Sequence, residues 1–197
     1  MHRKRVGVLI SGRGSNLRAL VEASRDPAYP AEIVFVASNK PDAGGLTYAR
    51  DHKIATAAVN HRDFPSREAF DAALNTELQK HDLDLICCAG FMRIMTPVLI
   101  RPWSGRMLNI HPSLLPLYKG LHTHARAIED GSKIHGASVH FVNEELDGGE
   151  VIAQAKVPVH PDDTPDILAA RVLGIEHPLY VKALALVASG LIQAKAS

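Results

Sequence analysis

The chain has little cysteine, no long apolar run and almost no net charge, and each shortage excludes a class of protein. Among its 197 residues only Cys87 and Cys88 are cysteines. Adjacent residues on a strand face opposite sides of a sheet, so two reduced, buried thiols in a reducing compartment are expected. Lys and Arg total 22 against 21 Asp and Glu, a formal net charge of +1. That balance gives no electrostatic case for nucleic acid or a membrane surface. No segment approaches the roughly 18 apolar residues of a membrane span. The basic start, Met1-His2-Arg3-Lys4-Arg5, precedes an apolar run too short for a signal peptide. Repeats, low-complexity tracts and linkers are also missing. The expectation is one cytoplasmic domain over 1–197, monomeric or homodimeric, acting on small molecules.

What is present reads as alternating strand and helix. Buried strands are expected at 6–10, 33–37 and 83–89, each a short apolar run without polar alternation, with a shorter strand at 55–59. Helical stretches fall between them, at 44–51 and after Ser66, where Phe70, Leu74 and Leu78 recur every four residues and Ser66 supplies the cap. This order predicts an α/β fold, a Rossmann-like, mostly parallel twisted sheet with helices on both faces. A further helix is expected from about 120 to 129, and strands at 135–142 and 151–159 add a partly antiparallel C-terminal portion. Asp147-Gly148 between these strands is a hairpin-turn signal, so Asp147 alone reads as a turn residue rather than a catalyst. Thr164-Pro165 starts C-terminal helices that run to about Ala188, with a break expected near Glu176-His177-Pro178.

Two stretches carry chemistry. Ser11-Gly12-Arg13-Gly14-Ser15-Asn16 joins a strand to a helix. It is either a tight connection or a turn whose N–H groups hold a phosphate. It lacks the Lys of a Walker loop, and Leu17 stands where a dinucleotide turn has its third glycine. The second stretch is Asn109-Ile110-His111-Pro112, at the end of an apolar run. Alternation puts Asn109 and His111 on one side, and Pro112 holds His111 extended. An amide donor and an imidazole side by side can polarise a carbonyl and move a proton without a metal. Eleven histidines raise the metal question, but His122 and His124 fit neither CxxC nor HExxH spacing, and no metal is expected. Arg67, in the first turn of its helix where the macrodipole disfavours a cation, either reaches into water or awaits a carboxylate.

Five segments in order, 10–17, 89–94, 108–116, 139–142 and 145–149, together resemble the folate-dependent formyltransferase family. Asn-x-His-Pro-Ser-Leu-Leu-Pro marks the wider family, and Ser-Gly-Arg-Gly-Ser-Asn the branch acting on a glycinamide ribonucleotide. The resemblance covers about Arg5 to Leu191. It implies the formyltransferase fold, with a phosphate-binding half (about 1–105) and a catalytic, folate-binding half (about 106–197). It implies formyl transfer from 10-formyltetrahydrofolate to the ribonucleotide amine in purine biosynthesis, with Asn109, His111 and Asp147 as catalytic residues. Gly14, Ser15, Asn16 and Glu176 would bind the ribonucleotide. Arg67, Phe91, Met92, Arg93, Ile94, Met95, Val142, Asn143, Glu144 and Glu145 would line the folate pocket. A non-catalytic nucleotide-binding module is the alternative from another class, and the amide, imidazole and carboxylate together argue against it.

Overall fold

The computed structural model describes residues 3–195. The elements in chain order are β1 (Lys4–Ile10), α1 (Ser15–Ser24), β2 (Ala31–Ser38), α2 (Gly44–Asp51), β3 (Ala55–Ala58), α3 (Arg67–Gln79) and β4 (Leu85–Cys88). They continue with α4 (Pro97–Ile100), β5 (Met107–His111), α5 (Thr123–Glu129), β6 (Ile134–Phe141), β7 (Val151–Pro158) and α6 (Pro165–Ala188). The seven strands form one sheet in the order β3-β2-β1-β4-β5-β6-β7. The first five are parallel, while β6 runs antiparallel to β5 and β7 antiparallel to β6. Both halves of the chain thus share a single sheet.

Helices cover both faces, which is why the central strands are continuous apolar runs. Against one face pack Leu17, Leu20, Leu46, Val172, Tyr180 and Leu184 from α1, α2 and α6. Against the other pack Phe70, Leu74 and Leu78 of α3 with Leu99 and Trp103. Cys87 belongs to the first cluster and Cys88 to the second, both as free thiols. Ser66 caps α3, its hydroxyl accepting the Ala69 N–H at 3.1 Å. No helix of the described residues is long and apolar enough to cross a membrane.

One local expectation fails. The break near Glu176-His177-Pro178 does not occur, because α6 runs unbroken for 24 residues with Pro178 inside it. Pro178 and Gly174, whose carbonyl loses its helical donor, both lie exposed, while Val172, Glu176, Leu179 and Tyr180 bury the opposite side. Packing outweighs one hydrogen bond lost on the solvent face. Asp147 is a turn residue, as the Asp-Gly pair predicts: the Gly148 N–H donates to the Glu145 carbonyl at 3.0 Å, within the nine residues, 142–150, that separate β6 from β7. The chain re-enters the sheet at Gly149, where any Cβ would lie 1.7 Å from the Phe141 carbonyl oxygen. The loop is therefore pinned at its base and free to project Asp147 elsewhere.

Strand order reverses between β1 and β4, and the carboxyl ends of these two strands open the crevice where ligands bind in such sheets. Tyr180 of α6 reaches under that opening, its buried hydroxyl 3.1 Å from both the Cys88 and Leu108 carbonyls. Tyr180→Phe keeps the packing and removes this bond. Urea denaturation of that variant should show a loss of about 1 kcal/mol with the far-UV spectrum unchanged.

Candidate active site

The sheet register assembles the site. Leu9, Cys88, Asn109 and His140 are paired in one row across β1, β4, β5 and β6. Asn109 therefore stands one strand from Gly90, which follows β4 into the crevice. His111 lies two residues further along β5, paired with Ser138. Asn109 and His111 share a face, as their alternation required.

Asp147 completes the group from the other side. Its backbone is left-handed, φ 50°, and its side chain is only 8% exposed. One carboxylate oxygen sits 3.4 Å from His111 Nδ1 and accepts the Gly120 N–H at 2.8 Å. The other lies 3.7 Å from His140 Nε2. His111 Nε2 is 2.9 Å from the Tyr118 carbonyl, which can only accept, so this nitrogen carries a proton. The nitrogen facing the carboxylate is then Nδ1, at an ion-pair distance rather than in a hydrogen bond.

His140 is the residue that motif reading passed over. Its Nδ1 donates to the Phe141 carbonyl at 2.8 Å, so in the neutral ring Nε2 is an acceptor. That acceptor is 3.2 Å from Asn109 Nδ2. The Asn109 amide is thereby oriented with its NH2 end toward His140, and its second N–H is left for another partner. Burial holds the His140 imidazolium down, keeping the ring neutral, with lesser effects from Phe141 and Asp147. Alternation alone placed His140 on one face with Ser138; that it lies opposite Asn109 comes from the strand register.

The crevice beside this group has a volume of about 600 Å³ and is lined by Gly12, Gly14, Ser15, Asn16, Gly90 and Glu176, among others. Gly14 is left-handed, φ 74°, and precedes α1 without a side-chain cap, so the first N–H groups of the helix remain available to an anion. Asn16 donates to the Glu176 carboxylate at 2.7 Å, both buried. Burial raises the Glu176 acid, and this hydrogen bond lowers it in part. Ser11 ties the turn to the next segment, its N–H donating to Gly90 and its hydroxyl accepting the Met92 N–H at 2.8 Å.

The expected folate-pocket residues fall into distinct settings. Segment 91–95 alternates, with Met92 and Ile94 at 64% and 54% exposure and Phe91, Arg93 and Met95 turned inward. Arg67 is exposed, with no ion-pair partner among the described residues. Val142 is core, and Asn143 accepts the Glu145 N–H at 3.1 Å. Glu144 and Glu145 pair outward with Arg101 and Lys119, each at 2.7 Å. Among the described residues, no group of three or more His, Cys, Asp or Glu side chains is placed to hold a metal ion.

A crevice of this kind, at the switch point of an open parallel sheet, is that of an α/β enzyme with its polar groups at the strand ends. Comparison with known proteins gives the family. The formyl transferase pattern matches residues 4–184, and the chain belongs to that family. Phosphoribosylglycinamide formyltransferase of Escherichia coli (strain K12) is 48% identical over 186 residues, covering 94% of this chain and 88% of that protein. The trifunctional purine biosynthetic protein adenosine-3 of Drosophila melanogaster is 50% identical over 190 residues, 95% of this chain. The chain spans 14% of that protein's length. The crystal structure of phosphoribosylglycinamide formyltransferase from Brucella melitensis superposes with a TM-score of 0.90 at 49% identity, covering 98% of this chain and all of that one.

Behind His111, His135 lies 3.2 Å from His124. Burial, then the His124 charge, pushes His135 down from 6.5 to about 4. Between these values the unfolded chain binds a proton that the folded chain refuses, so stability falls as pH drops through that window. His135→Gln should flatten this part of the stability–pH curve relative to the parent protein, as read by urea denaturation at several pH values.

Proposed function

We propose that the protein transfers the formyl group of 10-formyltetrahydrofolate to the amine of glycinamide ribonucleotide, in the cytoplasm, as a step of purine biosynthesis. The convergence of Asn109, His111 and Asp147 at the end of β5, with His140 between Asn109 and Asp147, carries this reading. The names of the similar proteins support it.

In this reading the phosphate sits on the N–H groups of Gly14, Ser15 and Asn16, and Glu176 helps hold the glycinamide end. The folate lies along segment 91–95 and loop 142–145, with Arg67 toward its terminal carboxylate. The amine attacks the formyl carbon, a C–N bond forms, and the carbonyl oxygen takes up negative charge. The free N–H of Asn109 donates to that oxygen, and a protonated His111 beside it supplies positive charge. Preorganised donors of this kind contribute on the order of 3 kcal/mol each. Asp147 orients His111 and relays the proton from the attacking amine. The bond to the folate nitrogen then breaks, and that nitrogen leaves protonated as tetrahydrofolate. Holding both substrates in one crevice removes the cost of bringing them together.

The test is the absorbance change on mixing the protein with both substrates. Transfer to the amine supports the reading, and no transfer at micromolar enzyme ends it. Asn109→Ala, His111→Ala and Asp147→Ala should each lower turnover by about 10²-fold or more with the fold intact. The dephosphorylated ribonucleoside should bind far more weakly than the ribonucleotide by calorimetry, and equal affinities would remove the phosphate from the glycine turn.

A further inference from the structure

Helix α3 buries Phe70, Leu74 and Leu78, and on the same side it buries a carboxylate, Asp71, at 1% exposure. A buried carboxylate costs several kcal/mol unless its surroundings compensate it, so its partners matter. One oxygen accepts the backbone N–H of Thr96 at 2.6 Å. The other has no hydrogen-bond partner among the described residues, and neither has the buried Nε of Arg93. Burial raises the Asp71 acid, while the Thr96 N–H and the nearby Arg93 charge pull it down.

The neighbouring residue works on the same segment. Phe70 stacks with Phe91 at 6.5 Å, and the Arg93 guanidinium lies 5.8 Å from the centre of the Phe70 ring. Two adjacent residues of α3 therefore hold the segment along its length, Phe70 at residues 91 and 93 and Asp71 at residue 96. With the odd positions drawn against α3, the alternation leaves Met92 and Ile94 standing outward.

Resting on the folate reading above, we propose that Asp71 is a positioning residue for the cosubstrate: by fixing the Thr96 N–H it keeps segment 91–96 extended and presents Met92 and Ile94 to the folate. Arg93 then acts chiefly as the cation beside Asp71, and its side chain faces the helix rather than the ligand.

Three variants test this. Asp71→Ala removes the acceptor. Asp71→Leu removes it while filling the space, which covers the case in which alanine does not fold. Asp71→Asn keeps an oxygen at the same position. Alanine and leucine should raise KM for 10-formyltetrahydrofolate about tenfold, the loss of one buried hydrogen bond. With either one, kcat and the ribonucleotide KM should stay within about twofold, and asparagine should restore most of the folate KM. Amide exchange without substrates should show Thr96 losing protection in the alanine and leucine variants and keeping it in the asparagine one. Unchanged Thr96 protection and folate KM in the leucine variant would overturn the assignment. So would a joint loss in kcat and both KM values, which marks a general core residue. If the parent protein transfers no formyl group, the functional reading fails, and the exchange experiment still judges the clamp.

Discussion

The antiparallel pairing of β5 with β6 is the constraint on which the site depends. Five parallel strands could carry the glycine turn and the crevice alone. The reversal at β6 sets His140 directly opposite Asn109 and starts the following loop level with Met107, so the loop must come back to bring Asp147 to His111. Gly149 pins that return against Phe141, and the Gly120 N–H holds the Asp147 carboxylate.

From that pairing follows a division of labour among four polar groups. His140, kept neutral by burial, accepts from Asn109 and so fixes which end of the amide faces where. Asp147, fixed by the Gly120 N–H, presents its charge to His111. Asn109 is held by a residue with no assigned contact to substrate, and His111 by one that would also take part in the proton transfer. Such support outside the reacting atoms lets donors act where charge develops without first reorganising.

Much of this was legible in the chain because it is local. Alternation alone put Asn109 and His111 on one face, the apolar runs marked the buried strands, and Ser66 announced α3. Asp147 was not legible in the same way. Asp-Gly between two strands is chemically a turn, and its role depends on a left-handed residue in a nine-residue loop whose path is set by tertiary contacts. Pro178 misled for a related reason. Its local cost is real, but the exposure of Gly174 and Pro178 and the burial of the opposite face belong to the packed molecule. His140 was in plain view, yet its meaning needed the register between two strands about thirty residues apart.

The two halves of the crevice are also joined mechanically. Ser11 binds Gly90 through its own N–H, accepts the Met92 N–H with its hydroxyl, and donates to Asn39 at 2.5 Å. The loops after β1 and β4 are therefore laced together at the point where they diverge, and strand β2 stiffens the lacing from behind. A reaction between two bound molecules requires their carriers to hold a fixed distance, since an error of an ångström costs orders of magnitude in rate. In this fold that distance is set by short backbone bonds between adjacent strand ends rather than by the docking of two separate bodies. One sheet, with strand direction reversed at β6 and again at β7, is sufficient to bring an anion-ready turn, an apolar wall and three polar groups together.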